Sequence, residues 1–281
     1  MADPDEIIAR DIRFGILGNA KRHWFGGDVI KTALLDGLSI FLPEGERYFI
    51  RSLKHYAPKL QDKALAAEIN GYSVQEAYHT REHRDYNLAM ASLGYDVDEM
   101  ERPVRLGFDL TKNPLYQLAL TCAIEHVTAT LSSVILRKTD LLDEADPAYR
   151  RLWMWHALEE LEHKAVALDV FNEVTKDFSK WYRYMLRVIA MNATLIPFIM
   201  IVVRNVRLYA KTDGVKTGFR FWLRFVWLVA FAPGYWRRCM IPALRYYLPW
   251  FDPRNSDDTD LVNKGREWLA GEMHELLKTP G

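Results

Sequence analysis

Two cysteines in 281 residues are too few for a disulfide framework, and Cys122 and Cys239 lack the spacing of a redox pair or zinc knuckle. A reduced, cytoplasmic setting is expected. A charge surplus is missing as well. Lys+Arg and Asp+Glu both total 37, so no net field draws the whole chain toward nucleic acid. The opening Met1-Ala-Asp-Pro-Asp-Glu6 has no basic stretch leading into an apolar run, so a secretory leader is not expected. Gly/Ser linkers, short repeats and strand-type alternation are absent. Nucleophile elbows, phosphate-cradling loops and dinucleotide glycine motifs are absent too, which removes acyl-serine, kinase and nicotinamide chemistry.

What remains is helical periodicity. An additional N-terminal helix is expected from Asp28 to Leu38. Another starts at Pro43, a residue suited to a first helical turn, and stops before Pro58. Asp62 to Leu93 reads as one long helix with a weak point at Gly71, closed by Gly94. Asn113 caps a helix from Pro114 to about Lys138, and Asp146-Pro147 opens one reaching about Thr175. The fold class is all-α: a four-helix bundle with an additional N-terminal helix and C-terminal hydrophobic helices. The expected units are 1–177, the bundle, and 178–281, a hydrophobic extension.

Glu-x-x-His occurs twice inside these helices, as Glu76-Ala-Tyr-His79 and Glu160-Leu-Glu-His163. A spacing of three puts both side chains on one face, where they can converge on one ion. Glu46 and Glu125 stand alone on the two other helices, and His156 lies one turn before Glu160. Glu46, Glu76, His79, Glu125, His156, Glu160 and His163 are therefore the expected metal ligands. Four carboxylates offset the charge of two divalent cations, which makes glutamate tolerable in a bundle core. Hard oxygen donors with a few imidazoles suit iron or manganese, and zinc less well. Alternatives stay open: Glu44 for Glu46, and a shifted register through Glu159. His83, Asp85 and Glu159 are either extra donors or hydrogen-bond partners of the donor imidazoles.

Aromatics make up 13% of the chain and crowd its C-terminal third. Val188 to Val203 runs sixteen residues without a charge, between Arg183/Arg187 and Arg204/Arg207. Phe225 to Trp236 is a second such run, with arginines on both sides. Both fall short of the roughly 20 residues of an ordinary span. Their aromatic and arginine flanks suit segments that lie in or dip into a membrane surface, or that pack at a dimer interface. A peripheral or monotopic position on the cytoplasmic side of a membrane is expected, with a homodimer as the other way to cover them.

The order Glu, Glu-x-x-His, Glu, Glu-x-x-His resembles the ferritin-like di-iron carboxylate superfamily. The extra His156 is similar to the seven-ligand arylamine N-oxygenases. Leu42-Pro43-Glu44-Gly45-Glu46-Arg47-Tyr48-Phe49, with the Gln75-Glu76-x-x-His79-x-x-x-His83 and Glu160-Leu-Glu162-His163 boxes, resembles a bacterial family described as predicted metal-dependent hydrolase. The long connection Gly94 to Asn113 suits the crossover of a ferritin-like bundle. The resemblance implies two iron ions (Fe/Fe, or Mn/Fe) and an oxygenase or oxidase. Its partners would be O2 and an electron donor; the apolar, aromatic C-terminal surroundings suit a small hydrophobic, lipid-like substrate, and the balanced charge points to no nucleic acid. A two-metal hydrolase is the alternative, and a non-enzymatic metal-binding membrane protein the second.

Overall fold

The computed structural model describes residues 6–232 and 234–278. Met1 to Asp5, Pro233 and the last three residues lie outside the described residues, as do the side chains of Thr139, Tyr235, Trp236 and residues 275–278. The all-α expectation holds: among the described residues there is no strand, only an isolated bridge between Phe25 and Ala145. The chain runs α1 (Val29–Tyr56), α2 (Lys63–Ser92), α3 (Val97–Leu110), α4 (Pro114–Arg137), α5 (Pro147–His163), α6 (Val166–Val174), α7 (Lys180–Thr212), α8 (Phe219–Ala230), α9 (Tyr235–Leu244) and α10 (Thr259–Lys278). Asp28, Asp62, Asp96, Asn113, Asp146 and Ser179 each cap the helix that follows, accepting from its first free N–H groups.

Helices α1, α2, α4 and α5 form a four-helix arrangement in which α1 packs on α2 and α4, and α5 packs on α4 and α2. Along α1, α2 and α4 the apolar residues fall into two clusters; α5 contributes to the first and α6 to the second. One is built on Ile40, Tyr86, Leu136 and Trp155. The other is built on Phe49, Tyr72, Leu118 and Phe171. On α1, α2 and α4 the Glu and His residues of the motifs lie between the two clusters in sequence, whereas on α5 His156 and Glu160 sit among residues of the first cluster; together they give the bundle a polar layer. α7 packs on α4 and α1, and α10 packs on α5 and α4.

Four expected boundaries need correction. The separate N-terminal helix is not separate: 28–38 and 43–57 merge into α1, which passes straight through Pro43. Proline at that position removes the N–H that would reach the Ser39 carbonyl. Asn87 Nδ2 donates to that carbonyl instead, at 3.1 Å, so a neighbouring helix repairs the break. α2 likewise continues through Gly71. The missing side chain leaves a notch filled by Ile7, whose Cγ2 would lie 3.2 Å from an added Cβ. The connection 94–113 is not a plain crossover loop, because α3 occupies most of it. The helix expected to reach Thr175 divides into α5 and α6 at Lys164 and Ala165, where no glycine or proline signals it. Lys164 instead turns outward to Asp258 (2.7 Å) and the Ser256 carbonyl (2.9 Å). The second apolar run divides into α8 and α9, with Gly234 at φ +74° in the turn.

Away from the motifs, Asp36 is buried under the N-terminal segment. Trp24 Nε1 donates to it at 2.8 Å and Tyr86 Oη at 2.6 Å. Burial outweighs these donors and pushes its carboxyl from 3.8 up to about 6. The folded chain thus holds this proton more tightly than the unfolded chain does. Stability from Asp36 is present below the unfolded value and falls as pH rises toward the folded one. Between about pH 4 and pH 7 the stability of wild type relative to Asp36→Asn should drop by about 3 kcal/mol. Urea melts of the two proteins across that range check this, and parallel profiles would refute it.

Candidate metal centre

The structure brings all seven expected donors together. Glu46 comes from α1, Glu76 and His79 from α2, Glu125 from α4, and His156, Glu160 and His163 from α5; each is buried. Among the described residues they form three overlapping groups whose donor atoms lie within 4.8 Å of one another. These are Glu46–His79–His156, Glu76–His79–Glu160 and Glu76–Glu125–His163. The first and last have no member in common. Glu76, His79 and Glu160 connect them, which is the arrangement of two ion positions with carboxylates between.

Their spacing suits donors that share a cation. His163 Nε2 stands 3.2 Å from Glu76, 3.4 Å from Glu125 and 3.7 Å from Glu160. His79 Nδ1 is 3.7 Å from both Glu76 and Glu160, and His156 Nε2 is 3.5 Å from Glu160. Two donors each about 2.1 Å from one cation stand about 3.0–3.5 Å apart. Both oxygens of Glu46 and Glu76, both nitrogens of His79, and Nε2 of His163 are buried without a hydrogen-bond partner. Orphaned buried carboxylates are strongly disfavoured unless something positive sits among them. The donor set fits a pair of cations.

Electrostatics agree. Burial, then the neighbouring Glu76, push Glu46 well above the usual carboxylate range. Burial raises Glu125 to about 7 despite His163 beside it. Burial would depress His79, but Glu159 and Glu76 overcome it and raise the imidazole. His163 is raised in the same way by Glu125 and Glu160. Burial alone would raise Glu160; the three imidazoles outweigh it and lower the carboxyl to about 2. Burial, then His79, lower His156 to about 3. Without cations, this pocket gathers protons to balance its own negative charge.

A second ring of contacts aims the imidazoles. Gln75 spends its amide N–H groups on the Ile8 carbonyl and Glu162, so its oxygen must accept from His163 Nδ1 at 2.9 Å. That bond fixes the tautomer and leaves Nε2 free toward the carboxylates. Glu159 Oε2 stands 3.1 Å from His79 Nε2, within reach but off the line of a hydrogen bond. Its other oxygen accepts from Trp155 Nε1 at 2.9 Å and from Arg10. Arg10 also forks onto Glu162 at 2.8 and 2.9 Å. One guanidinium from the N-terminal segment therefore backs both histidines. Tyr72 donates to Glu125 Oε1 at 2.6 Å.

The auxiliary residues sort cleanly. Glu159 faces His79 and Arg10 rather than taking over the register from Glu160. Glu44 turns outward to Arg47, leaving Glu46 inside. His83 Nδ1 meets Ser39 Oγ at 3.0 Å, while its Nε2 is buried without a partner beside the His156 ring. Asp85 is a correction: it is half-exposed and faces Arg13 at 3.6 Å, because six residues beyond His79 the helix has turned it off the donor stripe. Sequence reasoning missed Arg10, whose segment has no periodicity to place it. It also gave no role to Gln75, although that residue stands next to Glu76.

On the side of His156 lies a cavity of about 300 Å³. Phe41, Phe49, Phe108, Ile124 and Phe198 line it, and its walls are almost wholly apolar. A helical bundle enclosing paired Glu/His groups beside such a cavity belongs to the class of metal-binding helical proteins. The chain matches the family described as predicted metal-dependent hydrolase over residues 8–257, and it belongs to that family. No curated protein and no solved structure matches it.

Proposed function

We propose that this protein is a two-metal enzyme acting on an apolar substrate, with hydrolysis of an ester-type bond as the reaction. The observation that carries the reading is the set of three linked donor groups opening, through His156, on an apolar cavity. The family description supports hydrolysis over other metal chemistry. Glu46, His79 and His156 would hold one cation, Glu125 and His163 the other, and Glu76 and Glu160 would lie between them. A bound cation pair supplies Lewis acidity toward a scissile ester, and a redox-active pair supplies electrons to O2 as well. The protein's own groups do the rest. Gln75 and Glu159 orient the imidazoles, Trp155 and Tyr72 shut water out, and the phenylalanines align the apolar part of the substrate.

O2-dependent oxidation is the second reading, with the ferritin-like relationship it carries. One observation favours it: every donor stands on a helix, four Glu with three His, and among the described residues no loop aspartate joins these groups. Protein purified without added metal, then assayed for its metal content, tests the common premise. Two cations per chain are expected, and none in well-folded protein would overturn both readings. Turnover of long-chain esters under strict anaerobiosis with zinc or manganese supports hydrolysis. Failure there, together with oxygen uptake by the ferrous protein, would move the assignment to oxidation.

A further inference from the structure

The helices after α6 carry a feature that the metal centre does not use. α7 packs through Ala190, Met191, Val206 and Tyr209, yet only 22% of its apolar window is buried. By length and composition, α7 and α4 could each cross a membrane. α4 is a buried bundle helix, and α7 is tied to the bundle along one side. The other side of α7 exposes Ile189, Ile196, Ile199 and Met200, the last 67% accessible. Phe219, Leu223 and Trp227 of α8 are exposed beside Arg220 and Arg224. So much exposed apolar surface needs an occupant.

Two observations select it. Between Lys180 and Trp250 the chain has twelve Lys or Arg and one acid, Asp213. That acid is already engaged by Arg22, His23 and Tyr95. Arg204 and Arg224 are paired with Glu99 and Asp28, and Arg187 is buried. Acids are nonetheless so scarce here that the apolar part of a neutral chain carries a positive surplus, the complement of an anionic lipid surface. Second, a cavity of about 480 Å³ lies among α7, α8, α9 and α4. The exposed Ile199, Val203, Met240 and Leu244 contribute to its wall. It shares Leu38, Val127, Leu131, Ile135 and Phe198 with the cavity that reaches His156. Phe198 stands at this partition, its ring 5.0 Å from that of Phe41.

We propose that the α7–α9 face seats in an anionic bilayer and that the two cavities form one apolar channel, gated by Phe198, leading a lipid acyl chain to His156. This names the substrate class of the proposed function and rests on that reading for the chemistry. The docking and the channel are tested without turnover.

Flotation with vesicles of phosphatidylcholine alone, and of phosphatidylcholine with phosphatidylglycerol, tests the surface. The full-length protein is expected to float with the anionic vesicles and to be released by salt. Ile199→Glu and Trp227→Glu should each weaken this roughly tenfold or more, with metal content unchanged. Uptake of the fluorescent fatty acid cis-parinaric acid tests the channel. Phe198→Trp, which narrows the partition, should weaken uptake roughly tenfold while leaving flotation as it was. Protein that stays unbound with every vesicle, or that self-associates through this face instead, overturns the bilayer assignment. Parinaric acid that fails to bind, or that ignores Phe198→Trp, overturns the channel. Neither failure touches the metal content on which the proposed function stands.

Discussion

Glu76→Gln should cost the protein both cations at once. Glu76 enters two of the three donor groups, and neither of its oxygens has a hydrogen-bond partner. Glutamine keeps the volume and removes the charge. Metal affinity should fall by roughly two orders of magnitude or more, beyond the ten- to hundredfold typical of groups that only support a ligand. Glu46→Gln makes the contrast, since Glu46 enters one group and should empty one position. Metal per chain after equilibrium dialysis separates the two. Stability gives an independent sign. Chelation should lower the melting temperature of wild type, because the buried carboxylates lose their counter-charge, and should leave Glu76→Gln nearly unmoved. A variant that keeps two cations per chain would remove Glu76 from the centre.

The second large effect belongs to Arg10, which touches none of the expected donors. Its guanidinium bonds Glu159 and Glu162, whose carboxylates are buried. Arg10→Ala leaves two buried charges short of a partner, a loss of about 3–5 kcal/mol in the urea midpoint analysis. Through Glu159 behind His79 and Gln75 behind His163, both imidazoles lose their bearing, and metal affinity should drop about 10- to 100-fold. Arg10→Lys restores the charge but not the fork, so it should recover stability better than affinity. Arg266 Nε reaches Glu162 but not Glu159. Arg266→Ala should therefore disturb the Glu125–His163 side more than the Glu46–His156 side. Equal loss at both cation positions in that variant would argue against two separate lines of support.

The centre was unusually legible in the sequence, because metal ligands must be of a few residue types and a helix fixes their spacing. Glu-x-x-His written twice needs no tertiary information to place Glu76 beside His79 or Glu160 beside His163. Glu46 over Glu44 was not decidable that way, since both lie near one turn; the salt bridge of Glu44 with Arg47 decides it in space. Pro43 misled as a helix start because its repair, Asn87, lies 44 residues away on another helix. Arg10 was invisible for the same reason, its partners being 149 and 152 residues distant. Local chemistry was readable; long-range compensation was not.

The N-terminal segment that lays Ile7 in the notch at Gly71 and Arg10 on α5 also sets an order of assembly. During synthesis its anchors emerge last: Glu162 follows Arg10 by 152 residues, and Arg266 follows Glu6 by 260. Helices α1 and α2 can zip together early from local contacts, whereas this closure waits for nearly the whole polypeptide. A nascent chain halted before α5 holds Glu46, Glu76, His79 and Glu125 without their partners, so the full donor set exists only in the finished molecule.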